Sequence, residues 1–263
     1  MGKVVLITGG SSGIGLETAL ALSRAGCTVY EMSRKPAQNP GITHIPGDVT
    51  SEDDVQAAVD QVLTAEKRID ILINNAGFGI SGAVEFTDTE DAQRQLDVNF
   101  FGMVRMCRAV LPHMRRSGTG RIVNLSSVAA AIPIPFQAFY SASKAAINAY
   151  TMALGNEVRP YGITVCAVMP GDIRTGFTTA RKKALAGDRE YGGRIARSVA
   201  KMEKDETNGM EPAAAGRLVA KLALKKSVKP LYALRLDYQF FVILSRFLPV
   251  RTLNRLIYWL YAK

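Results

Sequence analysis

Cysteine is scarce, and the three present, Cys27, Cys107 and Cys166, lie far apart, each inside an apolar stretch. An odd number at such spacing excludes both a disulfide framework and a cysteine-based metal cluster, and fits a reducing compartment. Histidine is scarcer still: His44 and His113 stand alone, read as ordinary turn or surface residues, and no metal site is expected. No run of 18 apolar residues occurs, and no charged n-region, apolar h-region and cleavage signal precede the first strand-like run at Val4. Membrane spanning and secretion are therefore not expected, and a cytoplasmic location is. Repeats, low-complexity tracts and Pro/Gly/Ser-rich linkers are absent too, so nothing divides the chain before its last segment.

What is present is a chain of 263 residues, 48% hydrophobic, long enough for a sizeable core in one α/β domain. Its net charge of +10 is unevenly placed. Residues 225–263 hold eight basic side chains (Lys225, Lys226, Lys229, Arg235, Arg246, Arg251, Arg255, Lys263) against Asp237 alone, which is +7 of the +10. Short β-rich apolar runs at Val4, Thr28, Ile69, Arg121 and Ile163 alternate with helix-like stretches such as 51–67. Runs apolar on both faces are those of buried parallel strands, so the expectation is a doubly wound α/β fold.

The first run feeds into Thr8-Gly9-Gly10-Ser11-Ser12-Gly13-Ile14-Gly15, followed by a helix from Leu16 to Ala25. Strand, glycine turn and helix together make a phosphate cradle, because the bare backbone approaches the anion and the helix N-terminus carries positive charge. The spacing is GxxxGxG through Gly9, Gly13 and Gly15. After the second strand come Ser33, Arg34 and Lys35 in place of an acid, a hydroxyl and a guanidinium suited to a 2′-phosphate, so NADP(H) is the expected cofactor. Glu31 is the competing feature, and it is expected on the other side of the strand.

Downstream, Ser126 and Ser127 precede Tyr140-Ser141-Ala142-Ser143-Lys144, which opens a helix running to Glu157. Tyr140 and Lys144 at i and i+4 share one helical face. A phenol near pKa 10 is a poor acid at neutral pH, and the expectation is that a neighbouring ammonium and a nicotinamide cation lower it.

These segments together resemble the short-chain dehydrogenase/reductase family. The match runs through TGGSSGIG at 8, GDVT at 47, NNAG at 74, DVNFFG around Asn99, the serine pair at 126, YSASK at 140 and PGDIRT at 170, covering residues 1 to about 180. The resemblance implies a Rossmann-like fold and hydride transfer between a nicotinamide and a carbonyl or alcohol, with Asn99, Ser127, Tyr140 and Lys144 catalytic. It implies that Ser127 binds the substrate oxygen, that Tyr140 exchanges its proton, that Lys144 also holds the nicotinamide ribose, and that Asn99 relays protons through its backbone and a water. Cofactor contacts fall by the same likeness on Gly9, Ser11, Ser12, Gly13, Ile14, Gly15, Ser33, Arg34, Asp48 and Val49. They continue at Asn75, Ala76, Gly77, Tyr140, Lys144, Pro170, Gly171, Ile173 and Thr175. A homodimer or homotetramer is also implied; the stripe Leu96, Phe100, Val104, Leu111 suits it, as it suits packing on the sheet.

The apolar residues Val128, Ala129, Ile132, Pro133, Ile134, Pro135, Phe136 and Phe139 are expected to wall a pocket for a hydrophobic small molecule, a steroid-like or other lipophilic ketone. A 3-oxoacyl-carrier-protein reductase is the second reading, a non-catalytic NADPH sensor the third. The chain divides into a catalytic part, 1–235, whose polar segment 176–210 is expected to be a mobile cover, and a basic extension, 236–263. There Leu253, Leu256, Ile257 and Leu260 fall on one helical face with Arg251 and Arg255 opposite. That extension is read either as folded over the substrate mouth or partner, or as resting on an anionic membrane; its apolar face argues against nucleic acid.

Overall fold

In the computed structural model, which describes residues 2–35 and 39–263, seven strands form one parallel sheet. They are β1 (Val4–Thr8), β2 (Thr28–Ser33), β3 (Ile42–Pro46), β4 (Ile71–Asn74), β6 (Gly120–Leu125), β7 (Ile163–Met169) and β9 (Leu231–Ala233), in the order β3-β2-β1-β4-β6-β7-β9. The remaining two, β5 (Ile80–Ser81) and β8 (Lys182–Lys183), pair only with each other. The doubly wound expectation holds. The edge strands β3 and β9 escape the sequence reading, being short and weakly apolar.

Alternation along β1 shows why the strands read as continuous apolar runs. Val4 and Leu6 enter one core with Leu72, Ile122 and Met106, beneath α2 (Glu52–Glu66), α4 (Gly102–Ser117) and α5 (Ala138–Glu157). Val5 and Ile7 enter the other with Ile73, Val123 and Cys166, beneath α1 (Gly13–Arg24) and α8 (Pro212–Leu224). Both faces are covered, so every position is apolar. Each fully buried Ile or Leu contributes roughly 1.5–3 kcal/mol. Arg121, at the start of β6, closes the α8 end by donating to the Leu222 and Lys225 carbonyls, both at 2.9 Å.

Helix boundaries follow local chemistry. At the start of α2 the Ser51 hydroxyl accepts from Asp54 N–H at 3.1 Å, and Glu52, Asp53 and Asp54 fill its first turn, where the helix dipole favours acids. The apolar stripe from Leu96 to Leu111 is not carried by one continuous helix but by two, α3 (Thr89–Leu96) and α4, joined by a π turn over Asp97–Phe101. The extra residue of that turn re-aims the helix face and points Asn99 inward. Phe100, Val104 and Leu111 of the apolar stripe are partly buried against the sheet-side core.

The segment 176–210 has more anchorage than its composition suggests. It forms α6 (Phe177–Ala180), β8 and α7 (Arg194–Thr207), and Ile195, Val199 and Met202 are buried in a satellite core with Ala83. Residues 236–263 form α9 (Leu236–Phe247) and α10 (Val250–Tyr261). The apolar face expected of α10 is split: Ile257 is buried while Leu256 and Leu260 are exposed. No helix among the described residues is long and apolar enough to cross a membrane.

Candidate active site

At the C-terminal ends of β1 and β4 the backbone must turn where side chains cannot. Gly9 and Gly13 adopt φ of 65° and 55°, the left-handed region open to glycine at little cost. A Cβ on Gly15 would stand 2.2 Å from the Gly9 carbonyl, so a third glycine is required for packing. Asn75 fixes the turn from beside it, its Nδ2 donating to Thr8 O at 3.1 Å and Gly9 O at 2.9 Å, while Thr8 Oγ1 accepts from the Asn75 and Ala76 N–H groups, both at 3.1 Å. Ser12 at the α1 N-cap has an extended backbone and makes no side-chain capping bond, so the first amides of the helix remain to serve a ligand. A bare, positively polarised turn of this kind fits a dinucleotide pyrophosphate.

From that turn one cleft of about 1060 Å³ runs in both directions. Toward β2 and β3 it is lined by Ser33, Arg34, Lys35, Asp48 and Val49. Arg34 reaches to 3.8 Å from the Asp48 carboxylate, which also holds the Thr50 N–H and hydroxyl at 3.0 and 2.9 Å. Glu31 is buried and does not line the cleft, but it stands on the same face of β2 as Ser33: its carboxylate accepts from the Ser33 hydroxyl at 3.3 Å, bonds Nδ1 of His44 and lies behind Gly10. The expectation that Glu31 lies on the other side of the strand is therefore corrected: it sits beneath Ser33, withdrawn from the cleft by burial, and His44 is corrected from an ordinary surface residue to its partner. His113 sits on α4, bonded to Arg116.

In the other direction lie Ser127, Tyr140 and Lys144, together with Gly77, Pro170, Gly171, Ile173 and Thr175. Every residue expected at the site lines this cleft except Asn99, which is buried just behind it. Asn99 accepts from Phe78 N–H at 2.9 Å and donates to Phe78 O at 3.0 Å, so its side chain clamps the loop after β4. The serine pair divides its work. Ser126 is buried and donates to the Lys144 carbonyl at 3.0 Å, securing α5, whereas Ser127 hydrogen-bonds the Tyr140 hydroxyl.

Lys144 Nζ donates to Leu125 O at 2.8 Å and lies 5.6 Å from the centre of the Tyr140 ring. Burial lowers its pKa to about 8. Burial also raises the Tyr140 phenol to about 12; the Ser127 hydrogen bond pulls it down, the Glu206 charge raises it, and Arg181 lowers it. The expectation that the ammonium brings the phenol down is thus corrected. The amine is spent on the Leu125 carbonyl at the end of β6, and desolvation wins; a positive nicotinamide beside the ring is the charge that would reverse this.

Of the expected apolar wall, Val128, Ala129, Ile132 and Ile134 line the cleft, while Pro133, Pro135, Phe136 and Phe139 do not. Phe136 instead stands at φ 59° against Tyr191, in the satellite core. The missing wall comes from sequence-distant residues: Phe177, whose ring centre is 5.6 Å from that of Tyr140, and Phe241, Ile257, Leu260 and Tyr261. Buried Arg181 pairs with Glu206, and the Tyr238 hydroxyl bonds the Asp172 carboxylate. A Cβ on Gly171 would stand 2.2 Å from the Tyr238 ring. None of these pairings has a local signal; only the aromatic content of the last segment hints at them.

The family model for short chain dehydrogenases matches residues 3–186. The chain is 46% identical over 228 residues to a 3-ketodihydrosphingosine reductase of Bacteroides thetaiotaomicron, covering 86% of this chain and 85% of that one. Among solved structures, a short-chain dehydrogenase from Streptomyces avermitilis superposes with a TM-score of 0.84 at 30% identity, over 92% of this chain and 91% of that chain. A 3-ketoacyl-(acyl-carrier-protein) reductase from Brucella melitensis complexed with NADH (TM-score 0.75, 28% identity, 89% and 96% covered) and ElxO with NADP bound (0.76, 25%, 91% and 100%) carry the two dinucleotides on the same fold. Sequence, sheet order and cleft agree, and the chain belongs to the short-chain dehydrogenase/reductase family, oxidoreductases acting on CH–OH and C=O groups.

Proposed function

We propose that this protein is an NADPH-dependent reductase of a lipophilic ketone, and that the ketone is the 3-keto group of a long-chain amino alcohol, 3-ketodihydrosphingosine or a close chemical relative. The observation that carries the reading is the continuity of the cleft. The Tyr140, Lys144 and Ser127 side chains open on one cavity whose far wall is Phe177, Phe241, Ile257 and Leu260. An apolar wall of this extent suits an alkyl chain. Asp172 lines the same cavity, its pKa raised by burial, so a cationic head group there would relieve an incompletely balanced carboxylate. The 46% identical relative acts, by its name, on a compound with these parts, which favours a long-chain base over the steroid-like ketone the sequence suggests.

Each side chain then has a task that needs no further group. Ser127 donates to the ketone oxygen and polarises the carbonyl. Tyr140, neutral at pH 7 with a pKa of about 12, holds the proton that the developing alkoxide takes. Lys144, charged below about pH 8, places a positive charge beside that transfer. A dinucleotide held at the glycine turn would supply the hydride. Preference for NADPH rests on Arg34 and Lys35, two cations at the adenosine end of the cleft where an acid would repel a 2′-phosphate.

The reading is tested by following NADPH oxidation by purified protein with 3-ketodihydrosphingosine, a steroid ketone and a 3-oxoacyl thioester side by side. The expected result is the highest kcat/KM for the long-chain base, with NADPH preferred over NADH. Tight dinucleotide binding with no turnover of any of the three would replace the enzyme by a sensor; a higher kcat/KM for either competitor would replace the substrate.

A further inference from the structure

Ten of the eighteen large apolar side chains exposed among the described residues fall within 236–263, and they are not scattered. On α9, Leu236, Phe240, Ile243 and Phe247 recur at i, i+4, i+7 and i+11, one helical face, and are 82%, 62%, 55% and 81% exposed. The other face of the same helix does the packing: Val242 is buried beside Ala233, and Tyr238 is pressed against Gly171. This helix is therefore apolar on both sides, with one side turned to solvent.

The connection to α10 repeats the pattern at a tip. Phe247 and Val250, 81% and 73% exposed, flank the Leu248–Pro249 turn, and Arg246 and Arg251 bracket them in the chain, both exposed. Arg246, Arg251 and Arg255 make no ion pair among the described residues, whereas Arg235 is matched by Asp237 at 2.5 Å. Further along, exposed Trp259 is covered by the Lys263 ammonium at 3.9 Å from the ring centre.

We propose that the α9–α10 hairpin is a membrane-docking surface, in which the Leu236/Phe240/Ile243/Phe247 stripe and the 247–250 tip enter the headgroup region of an anionic bilayer while Arg246, Arg251 and Arg255 meet its phosphates. Charge selects this occupant over a second copy of the chain. The hairpin, residues 236–263, carries a net +3 (Arg246, Arg251, Arg255 and Lys263 against Asp237) within a 225–263 segment that holds +7 of the protein's +10, so two such surfaces would bring like charge together, and an anionic lipid layer neutralises it. Aromatic and basic side chains with an apolar tip are the composition of an interfacial helix. The cleft supplies the third argument. Phe241 of α9 and Ile257 and Leu260 of α10 line it, so the elements that would touch lipid also wall the substrate cavity. A ketone with a long alkyl chain would then reach Tyr140 from the bilayer without crossing water; this last step alone rests on the proposed substrate, and the docking does not.

The test is cosedimentation of the full-length protein with vesicles of equimolar phosphatidylcholine and phosphatidylglycerol, and with phosphatidylcholine alone. Wild type is expected to sediment with the anionic vesicles and to be released by salt. Replacing both Phe240→Glu and Phe247→Glu, at positions outside the cleft, should weaken binding at least tenfold. Arg251→Glu with Arg255→Glu should weaken it on anionic vesicles alone, by about fivefold for each charge removed. Circular dichroism and melting temperature show that each variant is folded. Wild type left in the supernatant, or a phenylalanine pair that can be replaced without loss of binding, overturns the proposal. So does light scattering that finds a dimer which the two glutamates convert to monomer with no lipid bound by wild type, since the stripe is then a protein–protein face.

Discussion

At the glycine turn the wall of the cleft is backbone, while at the α9–α10 end it is side chain. The first is held by Gly9, Gly13 and Gly15, by Asn75 across the β1–β4 ends, and by strands buried on both faces. The second is held by side chains: buried Val242 and the Tyr238 ring pressed on Gly171, the hydroxyl–carboxylate bonds Tyr238–Asp172 and Tyr261–Asp205, and Ile257, the one buried residue within α10. A wall of backbone admits one ligand shape and fixes it; a wall of side chains can be exchanged without disturbing the sheet. On the proposed function, cofactor binding and chemistry sit on the part held by backbone, and the part that would meet the variable portion of a substrate is held by side chains.

The sharpest test of that division removes one oxygen from the backbone-held part. Tyr140→Phe should reduce kcat/KM by about 10²- to 10⁴-fold while dinucleotide affinity, read by fluorescence titration, stays nearly unchanged. The same site fixes a pH dependence. Lys144, with its pKa lowered to about 8, loses its charge above that value, so the rate of ketone reduction should fall as pH rises through about 8. The sign for stability is opposite. Between about pH 8 and 10.5 the unfolded lysine keeps a proton that the folded one has released, so wild type gains stability relative to Lys144→Met as pH rises across that window. A reduction rate that holds constant to pH 10 would detach Lys144 from the chemistry.

Which parts could be read from residues alone follows the same line. Glycines at Gly9, Gly13 and Gly15 and the Tyr140–Lys144 spacing are legible because backbone geometry and helical pitch are local constraints. Every cofactor contact implied by the family resemblance lines one cavity. The Tyr238–Asp172 and Arg181–Glu206 pairs are not legible, since they join residues 66 and 25 positions apart with no periodic signal. The phenol's pKa is missed for a related reason: proximity of Lys144 in sequence says nothing of burial, and burial is the largest influence on the phenol. Nor does composition reveal that the polar stretch around α7 buries Ile195, Val199 and Met202.

If the second wall depends on one close contact, a methyl group should displace it. Gly171→Ala places a Cβ 2.2 Å from the Tyr238 ring, and overpacking of this kind costs about 1–3 kcal/mol. The expected outcome is faster proteolysis within 236–263 and a raised KM for the lipophilic ketone, with a smaller loss of dinucleotide affinity because Gly171 also lines the cofactor cleft. An equal loss of dinucleotide binding would mean that the two walls are one structure. At the opposite end, Arg34→Ala should weaken NADPH about tenfold and NADH hardly at all. The gain sits at the low end for a charge-assisted bond because Arg34 is exposed and Lys35 lies beside it. Equal losses for both dinucleotides would refute the 2′-phosphate role.

The smallest effect asks whether the side-chain wall is pinned by polarity or by packing. Tyr238→Phe keeps the ring on Gly171 and removes only the hydroxyl, which accepts from Asp172 N–H at 3.3 Å and donates to the Asp172 carboxylate. One such bond is worth about 0.5–1.5 kcal/mol net, a shift of a few degrees in Tm for a chain of this size. Burial already raises the Asp172 pKa, and the Tyr238 bond holds it down, so the variant should raise it further. Stability lost to the substitution is therefore present at neutral pH, where Asp172 is charged and lacks its donor, and shrinks as pH falls through the Asp172 pKa and the carboxyl protonates. A Tm difference that stays constant with pH would place the hydroxyl's contribution elsewhere, and no difference at any pH would leave ring packing alone to hold α9 against the cleft.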